Sequence, residues 1–243
     1  MEIEAQDVGV EAGGAVLLVP TGVLVAPGRR TLVATDAGQD LTAPTALALV
    51  LTGRTTPTRG RLLVDGHDVG LWGRDDLRRA GALVDAPGVD EPEPVLPLRA
   101  VVAEDLRAAG LAASAQEARA WLAAAGLEGW GHVLVRDLPP SVRTRALAEL
   151  AAAREGVEVL VLVRPDRAGG DAGEAGGWWD LAGEMASRGL GVAVLVARAE
   201  VALLAGAGLL ADGDLRAAAG VGRATRPPDL PARPTELAVE TTL

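Results

Sequence analysis

Thr31-Leu32-Val33-Ala34-Thr35-Asp36-Ala37-Gly38-Gln39-Asp40-Leu41-Thr42-Ala43-Pro44-Thr45-Ala46-Leu47-Ala48-Leu49-Val50-Leu51-Thr52 is the stretch that sets the fold. Its first segment, Thr31–Thr35, is a short apolar run with threonine at both ends and predicts a strand. Asp36–Ala43 is a polar, glycine-containing loop. Pro44–Thr52 predicts a helix with proline at its first position, where a missing N–H matters least. Gly53 stands where a helix-ending glycine belongs.

Upstream, Ala15–Val19 and Val23–Val25 predict two β segments, with Pro20-Thr21-Gly22 as the turn between them and Pro27-Gly28 as another turn. Downstream, Arg61–Val64 predicts a strand closed by Asp65-Gly66, and Ala82–Val84 a further short one. Leu98–Ala109 is helical, Ser114-Ala115-Gln116-Glu117 is a capping box opening a helix that ends near Gly126, and Ser141–Arg154 is a third long helix. Val157–Val163 is an almost unbroken apolar run, the mark of a buried parallel strand. Trp178–Ser187 predicts a helix, Val192–Ala197 a strand, Glu200–Ala205 a helix, and Leu209–Leu215 a strand or turn. Such alternation predicts an α/β fold with helices on the faces of a sheet. Asp85–Leu96, with three prolines, is a loop, and no internal repeat is visible. From about Gly220 the chain turns to Arg, Pro and Thr, so 221–243 is expected to be a disordered or loosely attached tail.

The chain has 243 residues, 49% of them hydrophobic, enough for a full core. Cys, Phe, Tyr, Lys and Asn are absent and Ile3 is the only isoleucine, so the core must be built from Ala, Leu and Val with five Trp. The loss of residues with AT-rich codons points to a GC-rich genome. Disulfides, thiolate nucleophiles, cysteine zinc sites and Schiff-base lysines are excluded. His67 and His132 lie too far apart in sequence to suggest a histidine metal site and are expected in turns or on the surface. A net charge of −10 argues against neutralising a nucleic-acid backbone. The acidic start, Met1-Glu2-Ile3-Glu4, has no apolar region of the kind a signal peptide needs, and the longest apolar stretches are too short to span a bilayer. A soluble, cytoplasmic protein is expected.

A strand, a glycine-bearing loop and a helix invite comparison with the phosphate-loop pattern G-x-x-x-x-G-K-[ST]. The segment Gly38–Thr45 keeps the first Gly and the final Thr; Ala43 replaces the second Gly and Pro44 the Lys. Taken alone, this is a weak match, and an ordinary strand–loop–helix accounts for it better. Its surroundings are more telling. Gly53, Pro57, Gly60 and Leu62-Leu63-Val64-Asp65-Gly66 follow the helix. Leu138-Pro139-Pro140-Ser141-Val142-Arg143-Thr144-Arg145 comes later, then Val159–Val163 with Arg164-Pro165-Asp166, then Val194-Leu195-Val196-Ala197-Arg198 and Ala211-Asp212-Gly213.

In order and spacing this series, over roughly residues 8–216, resembles the ATP-binding cassette (ABC) ATPases. There L-S-G-G-Q with R-x-R occupies the place of Leu138–Arg145, D-E-P-T the end of the Val159–Val163 run, and a switch histidine the place of Arg198 or its neighbour. The resemblance implies a phosphate-loop NTPase-like fold over residues 1–220, with a mixed central sheet and a helical subdomain near 98–155. It implies ATP and Mg as cofactors, with Gly38 and Thr45 toward the nucleotide and Thr45 toward the metal. It also implies a membrane-spanning transporter subunit as partner, a homo- or heterodimer with another ATPase subunit, and a place at the inner face of the membrane. The family's task is to couple nucleotide-driven dimerisation to transport.

The departures carry chemistry of their own. Pro44 removes both the ammonium and one N–H that should face a phosphate. Ala43 adds a Cβ where the backbone should come close. Asp36 and Asp40 bring carboxylates to a loop that should welcome anions. A charge-assisted hydrogen bond contributes roughly 1.5–3 kcal/mol, so losing two or three weakens ATP binding by about 10²-fold or more. Val163 stands at the magnesium-side Asp and Arg164 at the catalytic Glu; arginine is never a base in proteins. Asp166 lies three residues late for the metal, and the loop glutamine expected near Asp85-Ala86 is missing. Pro139 and Pro140 delete amides that would face a partner's nucleotide. No catalytic residue is therefore assigned. Thr45 serves magnesium or simply the first turn of a helix, and Arg164 pairs with a phosphate or caps and salt-bridges nearby. Asp85, Asp90, Glu91 and Glu93 are expected to form a solvated loop, the arginines of Ser141–Arg154 a solvated face, and Trp178-Trp179 a source of bulky packing. The expectation is an ABC transporter subunit with weak or lost hydrolysis. The alternative is a non-catalytic scaffold or regulatory module that binds no nucleotide, and a third reading is an active ATPase working through Arg54 and Arg164.

Overall fold

The computed structural model describes residues 1–35, 40–70, 73–169, 176–210 and 214–219. Its strands form two sheets. The antiparallel one has the order β2-β1-β4-β5, built from β1 (Ile3–Ala12), β2 (Ala15–Val25), β4 (Arg59–Val64) and β5 (His67–Asp68). The parallel one has the order β6-β7-β8-β3-β9, built from β3 (Arg30–Thr35), β6 (Gly81–Val84), β7 (Val159–Val163), β8 (Gly191–Ala197) and β9 (Leu215–Ala219). The helices are α1 (Thr42–Leu51), α2 (Arg74–Ala80), α3 (Leu98–Ala108), α4 (Ala115–Ala124), α5 (Pro140–Ala152), α6 (Trp178–Ser187) and α7 (Arg198–Gly206).

Residues of β7 alternate between the faces of the parallel sheet, as a period of two requires. Val159, Val161 and Val163 join a cluster with Leu47, Leu51, Ile3 and Val25, which places α1 and the antiparallel sheet on one side. Leu160 and Leu162 join Trp179, Leu181, Met185 and Leu147 on the other, under α5 and α6. In a chain without Phe or Tyr, Trp178 and Trp179 supply bulk there, both almost fully buried and packed edge-to-face. Arg30 lies 3.9 Å over the Trp179 ring and is anchored by Asp214 at 2.7 Å. A third cluster, Leu98, Val102, Leu106, Ala118, Leu122, Ala146 and Leu150, holds α3, α4 and α5 together. Helix α5 belongs to both: Ala146 and Leu150 face α3 and α4, while Leu147, Ala148 and Ala151 face the sheet.

Two sequence expectations are corrected, and a third point is a strand that the pattern hides. Ala15–Val25 is one strand, not two segments around a turn. Between Val8 and Val10 of β1 the partner strand moves from Thr21 to Leu18, one residue further, so Val19-Pro20 is accommodated as a bulge. Because β2 is an edge of its sheet, the proline leaves no central ladder bond unmade. Second, Pro44 is the third residue of α1 rather than the first, still within the turn whose N–H groups have no helical partner. Third, β1 escaped the sequence reading because a bulge at Asp7 (φ 50°) interrupts its alternation. Gly60 fits against that bulge: a Cβ there would overlap the Asp7 carbonyl. The capping box at Ser114 and Glu117 forms as expected. Gly38, the acidic Asp36, the Ala211-Asp212-Gly213 turn and the 221–243 tail lie outside the described residues. Among the described residues no helix is long and apolar enough to cross a membrane.

Candidate functional site

In a parallel sheet the strand ends and the loops that leave them form the natural crevice. Here register aligns those ends: Thr35 of β3 lies beside Ala197 of β8, and Val163 of β7 beside Leu195. Thr35 is buried and its Oγ1 donates to the Val196 carbonyl at 2.9 Å. On the far strand, β6 ends at Val84 and Asp85 follows.

Asp85 and Arg164 are both in the left-handed conformation, at φ 55° and φ 53°, immediately after β6 and β7. Neither is glycine, both are buried, and both are held by charge. Arg164 donates from Nε to both carboxylate oxygens of Asp166, at 2.9 and 3.1 Å, and its backbone N–H donates to the Leu195 carbonyl at 2.8 Å. Asp166 Oδ2 also accepts the Ala197 N–H at 3.3 Å. The pair thus ties the end of β7 to the end of β8. Of the two roles left open for Arg164, this geometry realises the nearby salt bridge.

Asp85 receives Arg143 in a two-pronged contact, Nε to Oδ2 at 3.0 Å and a terminal nitrogen to Oδ1 at 2.6 Å. Arg167 adds a contact to Asp85 Oδ1 at 3.0 Å and reaches Glu91 at 3.1 Å. The expectation of a solvated loop and a solvated helix face is corrected at Asp85 and Arg143, whereas Asp90, Glu91 and Glu93 are exposed as expected. The helical spacing of Arg143 and the position of Asp85 at a strand end were visible, but no sequence signal joins residues 58 positions apart.

At the start of α1 the amides are largely engaged. Asp40 Oδ1 accepts the Thr42 N–H at 2.8 Å, and this bonding to Thr42, side chain first and backbone second, holds the Asp40 carboxyl below its ordinary range. Pro44 has no N–H. The Thr45 N–H donates to the Leu41 carbonyl at 3.0 Å, and Thr45 is half-buried. Pro139 and Pro140 precede and begin α5, with Ser141 half-buried behind them. Arg198 opens α7. His67 and His132 are exposed. Among the described residues no group of three or more His, Cys, Asp or Glu is placed to hold a metal.

The sequence is 32% identical over 160 residues, 65% of this chain and 67% of the relative, to the cytochrome c biogenesis ATP-binding export protein CcmA of Cupriavidus necator. The chain belongs to the ABC transporter ATP-binding subunits. Its fold agrees. An ATP-binding subunit of an ABC transporter superposes with a TM-score of 0.59 at 17% identity, over 89% of this chain and 85% of that one. The Clostridium perfringens cbiO1 protein, part of the ABC transporter complex cbiONQ, gives 0.56 at 18% identity, over 80% of this chain and 77% of that one. No family model matches the sequence.

The family generally binds ATP with magnesium, and three features among the described residues work against that pair. A chain carboxylate occupies an amide at the α1 N-terminus, the next-but-one residue has no amide, and the cation at the end of β7 is already bound to Asp166.

Proposed function

We propose that this ABC subunit serves its transporter without hydrolysing ATP, as the non-catalytic member of an ATPase pair. The observation that carries this reading is the buried Arg164–Asp166 pair at the end of β7. A general base must accept a proton and a magnesium ligand must offer free lone pairs. A guanidinium does neither. The Asp166 carboxylate faces that guanidinium and the Ala197 amide. Residual nucleotide binding would centre on Gly38 and Thr45, with Thr45 as the magnesium-side hydroxyl. The subunit would sit on the cytoplasmic face of the membrane against a membrane-spanning transporter subunit.

A second reading, a scaffold or regulatory module that binds no nucleotide, is favoured by the carboxylate of Asp40 on the Thr42 amide, which repels an incoming phosphate. Equilibrium binding of labelled ATP with and without magnesium separates the two. Measurable binding that disappears in Thr45→Ala supports a nucleotide-holding subunit, and no binding supports the scaffold. Steady phosphate release from highly purified protein, lost in Arg164→Ala, would overturn both. Co-purification with a multi-span membrane protein encoded beside this chain tests the partner.

A further inference from the structure

The chain crosses between the sheet and the α3–α4–α5 helical group twice: outward after β6 through 85–97, and back through α5 toward β7. Both crossings meet at one carboxylate. Asp85 stands at the outward exit, and Arg143 lies in the first turn of α5. A third segment joins them, because Arg167, just past β7, touches Asp85 Oδ1 at 3.0 Å and donates to its backbone carbonyl at 3.0 Å. Glu91, in the outward loop, completes the set, 3.1 Å from Arg167 and 3.6 Å from Arg143. Two guanidiniums therefore face two carboxylates across three separate chain segments, and Asp85 is held in a backbone conformation that few non-glycine residues adopt.

The helical group meets the sheet through apolar side chains of α5, Leu147, Ala148 and Ala151, with Val101 of α3. Its own cluster is centred on Leu98, Leu106 and Leu122, and it leans on the sheet mainly through α5. Packed helices can shift past one another by small shear motions. A two-pronged, largely buried arginine–carboxylate contact is directional, and any rotation of α5 about the sheet must break it.

We propose that Asp85, Arg143, Arg167 and Glu91 form a latch that clamps the helical group to the parallel sheet, so that the two move as one rigid body. Asp85 and Glu91 also line a cavity of about 480 Å³ between the outward loop, α3 and α5. The latch is therefore open to competition from a cationic group that enters there. This inference does not depend on whether the chain binds or cleaves ATP.

The absence of cysteine makes the test direct. Cysteines introduced at Arg119 on α4 and Ser187 on α6, both exposed, carry spin labels, and pulsed dipolar spectroscopy reads the distance distribution in the full chain. The parent should give one narrow distribution. Asp85→Asn, chosen because asparagine tolerates the left-handed conformation, and Arg143→Gln, which leaves the Asp85 backbone alone, should each broaden or shift it. Arg143→Lys should fall between, keeping the charge but losing the fork. Gly60→Ala destabilises the fold away from the latch and should leave the distribution narrow. An unchanged, narrow distribution in the folded Asp85 and Arg143 variants would overturn the proposal. Equal broadening by Gly60→Ala would do the same.

Discussion

Arg164 and Asp166 face each other across a single intervening proline, Nε to carboxylate at 2.9 Å, with side-chain exposures of 7% and 6%. So short a closure needs the left-handed backbone of Arg164, which turns the chain back at the end of β7. Breaking such a pair leaves a buried charge uncompensated, which costs about 3–5 kcal/mol. Asp166→Asn and Arg164→Met should each lower stability by about that amount in chemical denaturation. The double variant Arg164→Met/Asp166→Leu should lose clearly less than the sum. Additive losses would show that the two side chains are not energetically coupled.

Gly60 and Gly66 both have positive φ, at 74° and 78°, yet they differ in surroundings. Around Gly66 no atom lies within 4 Å of a built Cβ, whereas at Gly60 the Asp7 carbonyl occupies its place. Gly66→Ala should therefore cost only the left-handed penalty, about 1–2 kcal/mol. Gly60→Ala should cost more, because the β1–β4 ladder must also shift at its bulge. Thermal unfolding of the two variants side by side checks the order.

Strong local signals survived the passage from sequence to structure. Trp178–Ser187 forms a helix with the expected bounds, and Val159–Val163 lies wholly buried within the expected parallel strand. The order of motifs was enough to place the fold in its family. What could not be read was long-range. The Asp85–Arg143 contact joins residues whose local surroundings look polar and solvated, so composition pointed to a surface loop and a surface helix. Pro20 reads as a turn because proline usually ends a strand, and only an edge position with a bulge permits it here. Asp40 on the Thr42 amide is an Asx turn, a signal that an aspartate two residues before a helix start does carry.

Asp105 gives the chain a pH dependence with a definite sign. It is open to solvent, yet it lines the cavity beside Val101, Leu147 and Leu150, which desolvates its carboxyl. Desolvation first, then Asp90 and Glu104, raises its pKa from 3.8 to about 6. Arg154 opposes the shift in part. Between these values the folded chain holds a proton that the unfolded chain has released. This group's contribution to stability therefore falls as pH rises from about 4 to about 6, and the loss persists above. Asp105→Asn removes the titrating group. It should raise the midpoint of urea unfolding at pH 7 and flatten the curve of midpoint against pH over that window. An Asp105→Asn variant whose midpoint still falls as steeply across that range would assign the dependence to other groups.

Pro44 tests whether the α1 N-terminus can be returned to phosphate binding. Pro44→Lys restores both an ammonium and a backbone N–H at one stroke. Proline near a helix start contributes little beyond its fixed φ, so the helix itself should persist; the cost comes from packing, because Pro44 is buried. The Asp40 carboxylate would still sit on the Thr42 amide, so Pro44→Lys alone should gain little affinity for ATP. Combined with Asp40→Asn and Ala43→Gly, it regains two or three charge-assisted contacts at roughly 1.5–3 kcal/mol each, and affinity should rise by about 10²-fold or more. Phosphate release should stay at background in every one of these variants, because Arg164 remains where a base is needed and remains bound to Asp166. Calorimetry with MgATP and a phosphate-release assay on the same preparations separate the gain in binding from the expected absence of turnover.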